Sequence, residues 1–366
     1  MKLVVFGLAV SSSWGNGHAT SWRGLIRALA SLGHHVIFFE RDQPFYAAHR
    51  DLWELPDAEL ILYPNWQDVR DTARRRLAEA DVAMVTSFCP DAIPATEEVL
   101  DSAARIRCFY DFDTGTTLEA LRVGRPVAYI PERGLGDFDL VLSCTGGAAL
   151  QQLKTQLGAR HVAPLYASVD PEIHHPAQPE ARFRSALSFL GSYSAGRQET
   201  MDVLFLEPAR RRPDWRFVIG GPQYPSDFPR LENIAFIPHV PSAEHPAFYC
   251  SAKLTLNATR KAVAELGYCP SARLFEAAAC GAPIVSDEWE GLDYFFEPGE
   301  EILVARTTGH VMDALEMGGE ELARMGRAAR ERALAAHTAR HRAAELENIL
   351  EAALSLPVEI AGGQQL

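Results

Sequence analysis

Arg273 and Glu276 are the residues whose types and spacing say most about chemistry. They lie in the run from Pro270 to Asp287, which reads as a loop, a helix from Ser271 to Cys280, a Gly281 cap and a buried strand. A helix N-terminus offers free N–H groups and a partial positive charge, which suit a phosphate. Arg273 in the first turn can add a bidentate contact. Glu276 stands one turn further along near the same face, where a carboxylate can accept from both hydroxyls of a ribose. Phosphate at the helix end with ribose beside it makes a nucleotide site. Taken alone, the run also fits an amphipathic helix with Arg273 and Glu276 as an i, i+3 surface pair.

Neighbouring segments carry compatible chemistry. The stretch Leu254–Arg260 ends a strand with the Asn257 amide, the Thr259 hydroxyl and the Arg260 guanidinium, groups that can reach a diphosphate. Gly191 ends another strand and would let a phosphate approach the backbone. Arg197 follows it, as a further phosphate ligand or as a solvated turn residue. Near the N-terminus, Gly15, Asn16, Gly17 and His18 lead from a first strand into a first helix. His18 can take a proton near neutral pH and so serve as a general base, or it can simply cap the loop. Glu40, ending the second strand, could hold a ribose and keeps a nicotinamide enzyme as an alternative. Asp111 and Asp113 follow a later strand and should both project from its end, one of them within reach of an Asx-turn.

The elements that must position these groups come in two series. Apolar runs at Lys2–Gly7, His35–Glu40, Leu60–Leu62, Val82–Thr86, Ile106–Tyr110 and Leu140–Ser143 read as parallel strands buried on both faces. A helix from about Ala19 to Leu32, capped by Gly33, completes the first βαβ unit. A second series runs through Leu187–Gly191, Trp215–Ile219, Ile234–Ile237, Leu254–Asn257, Ile284–Ser286 and Ile302–Val304, with a helix around Gln198–Arg212. Between the two, Ser168–Ala181 is rich in Pro, His and acidic residues and reads as the linker. A helix-rich tail runs from about His310 to Ser355, and Ala361–Leu366 is expected to fray. The fold class is therefore α/β, two doubly wound Rossmann-like domains facing a cleft. The expected limits are 1–170, 180–336, and a C-terminal helix and tail over 337–366 that can pack back on the first domain. Functional residues should lie in the loops after strands, at the cleft.

Composition excludes several classes. The 366 residues allow two or three domains at about 150 residues each. With 48 acidic against 35 basic side chains, the formal charge of -13 argues against a nucleic-acid or anionic-membrane partner. No stretch approaches the roughly 20 apolar residues of a membrane span, so no integral membrane segment is expected. Six scattered cysteines without a C-x-x-C pair suggest neither disulfides nor zinc, and a cytoplasmic location. The pairs His34-His35 and His174-His175 lack companions at metal spacing and read as loop histidines.

The Arg273–Gly281 run, with Gly291–Ile302 after it, resembles the donor-binding signature of GT-B glycosyltransferases, in particular the group-1-like transferases related to the spore-maturation protein CgeB. The likeness is best from Leu187 to Ala336. It implies a metal-independent transfer of a hexose-like sugar from a nucleotide-diphosphate sugar, a UDP-sugar above all, to a small-molecule, glycan or protein acceptor, with no other cofactor. Arg273, Ser271, Arg260, Asn257, Gly191 and Arg197 would hold the donor diphosphate and Glu276 the ribose. The base would lie near His239, Val240 and Gly221, although His239 also fits a packed turn. On the acceptor side would stand the Gly15–Gly17 loop and Asp111, with Asp113 and His18 as rival bases. Asp111-x-Asp113 also spells the D-x-D that holds a metal in GT-A enzymes, the weaker reading here. The sequence departs from the E-x7-E form of retaining GT-B enzymes, because Tyr268 stands where the first glutamate belongs. A nucleotide-sugar epimerase of the same architecture and a non-catalytic binding or structural protein are the alternatives.

Overall fold

The computed structural model describes residues 1–355; the expected fraying of Ala361–Leu366 lies outside them. The first sheet contains β1 (Lys2–Gly7), β2 (His35–Arg41), β3 (Ala58–Tyr63), β4 (Val82–Thr86), β5 (Ile106–Asp111), β6 (Leu140–Ser143) and β7 (Val162–Pro164). They lie in the order β3-β2-β1-β4-β5-β6-β7, all parallel. The second sheet contains β8 (Ser185–Leu190), β9 (Phe217–Gly220), β10 (Ile234–Ile237), β11 (Ala252–Asn257), β12 (Ile284–Asp287) and β13 (Leu303–Ala305). Their order is β10-β9-β8-β11-β12-β13, again parallel. Central strands such as β4 are buried at every residue, which is why they are apolar without alternation.

Chain order reverses between β1 and β4 in the first sheet and between β8 and β11 in the second. Loops diverge at such points and leave a crevice beyond the strand ends. The residues after β1 and β4, and after β8 and β11, are therefore carried to the cleft by topology, and those after β5, the next strand along, line it beside them.

The helix after β1 runs Gly17–Ser31, two residues earlier than its apolar period suggests. Asn16 is its N-cap, with Oδ1 accepting from the His18 N–H (3.1 Å). Around Gln198–Arg212 the helix is broken by a π-helical turn at Asp202–Leu206, ahead of Pro208. β7 has no apolar pattern of its own, because three residues are too few to show one. The Gly319–Ala336 helix packs on the Ala272–Ala279 helix. The chain then crosses back, and Ala339–Leu354 buries Ala343, Leu346 and Leu350 in one cluster with Leu3 and Val5 of the first sheet and Trp22 of the Gly17–Ser31 helix. The two crossings lie side by side, joined by the Val169–Thr338 bridge. Among the described residues no helix is long and apolar enough to cross a membrane, and all six cysteines are free.

Candidate active site

A cleft of ≈ 560 Å³ opens between the two sheets, lined by the loops that the reversal points predict. On the second-domain side Arg197, Arg260 and Arg273 converge. Arg273 donates from Nε to the Leu190 carbonyl and from Nη1 to Asn257 Oδ1 (3.0 Å). Arg197 donates from Nη1 to the Ser192 carbonyl (3.0 Å), and its Nε is buried without a partner. Both guanidiniums lie over the Phe189 ring, at 4.8 and 5.4 Å from its centre. Arg260 reaches across the cleft to Thr116 Oγ1 (2.5 Å). Among the described residues none of the three forms a salt bridge to a carboxylate. Burial, then the charges of Arg273 and Arg260, push Arg197 down to about 9. Uncompensated cations crowded together in a chain of net charge -13 mark a place built for an anion.

The Ala272–Ala279 helix points its N-terminus at this cluster. Ser271 makes no side-chain cap there; its hydroxyl donates instead to Asn257 Oδ1 (2.8 Å). The first-turn N–H groups thus lack the usual side-chain acceptor. Asn257 has a different role from the one the sequence suggested. It is 1% exposed, absent from the cleft wall, and spends its amide on Ser271, Arg273 and Ser286 Oγ (2.9 Å). It holds Ser271 and Arg273 in place without itself reaching the cleft. Gly191 also changes meaning. Its N–H is spent on the Gly220 carbonyl (2.7 Å), and a Cβ there would meet Arg273 Nη2 at 3.1 Å. The missing side chain makes room for the guanidinium.

Glu276 is buried on the cleft wall. Tyr249 donates to its Oε2 (3.1 Å), while His174 Nε2 and His245 Nδ1 lie 3.9 and 3.8 Å from its two oxygens. Burial works against its ionisation, but the Tyr249 hydroxyl and the Arg273 charge are among the groups that hold the carboxyl below its ordinary range. His174 is a loop residue, as its sequence context predicts, but a buried one, 1% exposed beneath Glu276. Spacing could not show this, since its companions lie about seventy and a hundred residues onward. Val240 and Gly221 line the cleft beside Arg273. Gly221 takes φ 139°, and a Cβ would come within 2.2 Å of the Gly191 oxygen. His239 lines the same wall but stacks on Trp14 of the first domain, ring centres 4.0 Å apart.

Opposite stands the first-domain loop. Asn16 Nδ2 ties it to the Ala9 and Ser12 carbonyls, and Gly15 at φ 59° lets it approach Pro222 across the cleft. Gly17 opens the helix with free space around it. The rival bases are one couple: Asp113 Oδ2 accepts from His18 Nε2 at 2.6 Å. The His18 ring lies on Phe112, and its Nδ1 is buried without a partner. Burial would raise Asp113, but His18, Arg260 and the Ser87 hydroxyl together hold it below its ordinary value. Asp111 is fully buried behind this couple, with Oδ1 accepting from the Asp113 N–H (2.9 Å) and Oδ2 unpartnered. It does not face the cleft, so Asp111-x-Asp113 does not present two carboxylates to a metal there. Glu40 is likewise consumed, accepting from the Val10 and Ser11 N–H groups (2.7 and 2.9 Å) and Ser11 Oγ (2.5 Å). It braces the loop, leaving nothing for a ribose.

Two parallel doubly wound sheets with their reversal points facing one cleft, and a C-terminal helix returned to the first domain, define the GT-B class of fold. A family model described as glycosyl transferase-like matches residues 197–348. Sequence comparison with curated proteins found no match. Among solved structures the chain is similar to alpha-glucosyltransferase in complex with UDP, with a TM-score of 0.71, 10% identity, and coverage of 96% of this chain and 100% of that one. Sucrose-phosphate synthase from Thermosynechococcus elongatus gives a TM-score of 0.67 at 14% identity, covering 96% and 99%. Anabaena HepE in complex with UDP and glucose gives 0.67 at 11%, covering 96% and 100%. At these identities the likeness shows the fold.

Proposed function

We propose that the protein is a glycosyltransferase that moves a sugar from a nucleotide-diphosphate sugar, a UDP-sugar first, to an acceptor hydroxyl. The observation that carries this is the arginine trio at a helix N-terminus, without a carboxylate partner among the described residues, with a buried carboxylate one turn away. Arg197, Arg260, Arg273 and the helix end would meet the diphosphate, and Glu276 would accept from the ribose. UDP or UDP-glucose in the solved relatives, and the glycosyl transferase-like match over this half, support the choice of donor.

The chemistry follows from the two walls. As the acceptor oxygen bonds to the anomeric carbon, its proton passes to the Asp113 carboxylate, which His18 holds through Nε2. The bond from that carbon to the diphosphate oxygen breaks, and its electron pair leaves with the nucleotide. The arginines stabilise the charge that accumulates there, supplying positive charge that metal-dependent transferases take from an ion. Ribose and base contacts keep the donor in register. The acceptor would enter between the Gly15–Gly17 loop and Asp113.

Incubation with UDP-, GDP- and dTDP-sugars, read as nucleoside diphosphate release, tests the reading. UDP release from a UDP-hexose is the expected result. Epimerised nucleotide sugar without release, or no turnover with any donor, would overturn it.

A further inference from the structure

We propose that His174 and His245 are positioning residues that fix the Glu276 carboxylate for the ribose, with His174 supplied by the segment joining the two domains. This rests on the nucleotide reading of Glu276 and deepens it. The joining segment makes a tight turn in which the Asp170 carbonyl accepts from the Ile173 and His174 N–H groups (3.1 and 2.9 Å). Arg27 of the first domain pairs with Asp170 and reaches Glu172 at 3.3 Å. The turn is thus held from the first domain while His174 is delivered beneath the donor wall of the second.

One carbonyl sets both tautomers. His245 Nε2 donates to the Val240 oxygen (3.2 Å), so its Nδ1 carries a lone pair. Burial pushes His245 down to about 4, so the ring is neutral at pH 7. His174 Nε2, 3.3 Å from that nitrogen, must then be the donor, leaving a bare Nδ1 that needs no acceptor. The two rings wall one side of the carboxylate and Tyr249 anchors one oxygen, which leaves the cleft side for a ribose diol. Because Val240 belongs to the loop beside the expected base site, His245 also ties that loop to the ribose carboxylate.

The three groups lie within 4.8 Å of one another, a spacing that a divalent metal also accepts. A ligating His174 would carry its proton on Nδ1, where no acceptor lies. The hydrogen-bonded pair gives every N–H a partner, and we take it as the arrangement.

Calorimetry on the full chain tests this with His174→Gln, which keeps a donor, and His174→Phe, which keeps a ring without one. Inorganic pyrophosphate, which needs only the arginines, reports whether the cleft is intact. His174→Phe should weaken UDP about tenfold and Gln less than about threefold, with pyrophosphate affinity unchanged in both. In turnover the Phe variant should raise the donor KM and leave kcat. Equal effects of Gln and Phe, or a parallel loss of pyrophosphate binding, would overturn the proposal. So would UDP affinity that falls with a chelator and returns with zinc. Unchanged UDP affinity in Glu276→Ala would instead sink the ribose reading itself.

Discussion

Asp111 and Asp113 stand two residues apart, and their surroundings drive them in opposite directions. Burial, with the nearby Asp113 charge adding to it, lifts Asp111 to about 7 despite the hydrogen bond from the Asp113 N–H. A carboxyl raised from about 3.9 in the unfolded chain stabilises the fold fully below that value. The contribution is lost as pH rises through about 7. Asp111→Asn should therefore flatten the dependence of Tm on pH between about 4 and 7, read by thermal unfolding; an unchanged slope would contradict the burial argument. Asp113 is held low, so it stays ionised to take the acceptor's proton, with His18 fixing its orientation. Asp113→Asn should cut transfer by about 10²–10⁴-fold while UDP affinity stays within about twofold. Turnover and calorimetry on the same sample separate the two effects. At this scale residue types were legible and partnerships were not. His18 and Asp113 each looked like a base, but the hydrogen bond joining them spans 95 positions and left no mark in spacing. Asn257, Glu40 and Asp111 carried the right chemistry for a ligand and spend it on the protein.

The second-domain reversal point depends on close approach of two strand ends. Gly221 has φ 139°, and an added Cβ would stand 2.2 Å from the Gly191 oxygen. Gly221→Ala should cost about 2 kcal/mol or more and lower Tm by on the order of 5 °C. UDP affinity should fall with it, because Gly191 packs against Arg273; differential scanning calorimetry with and without UDP measures both. The strands themselves were readable because parallel strands covered on both faces are apolar throughout. β7 was hidden by its length, and the π-helical turn at Asp202–Leu206 by an apolar pattern that continues across it. The segment 168–181 looked like a linker from its prolines and acids. Its composition did not disclose that one end pairs with Thr338 or that His174 is buried under Glu276.

At the scale of the whole chain, charge is distributed by role. The excess of acids belongs to the molecule at large, while three arginines are set in one cleft without a carboxylate partner among the described residues. A diphosphate held by them should bind more weakly as salt rises, whereas uridine, lacking that charge, should not. Two domains crossed twice by the chain provide the opposed walls that a two-substrate transfer needs, and sequence periodicity conveyed that architecture well. The width of the cleft and the contacts across it, such as Arg260 to Thr116, depend on packing between distant segments. The central claim is that the arginine trio exists to hold a nucleoside diphosphate. Calorimetric titration of UDP and uridine into the wild type, Arg197→Met and Arg273→Met tests it most directly. UDP should bind far more tightly than uridine, and each variant should lose about tenfold or more for UDP alone. Equal binding of UDP and uridine, or variants that keep full affinity for UDP, would contradict it.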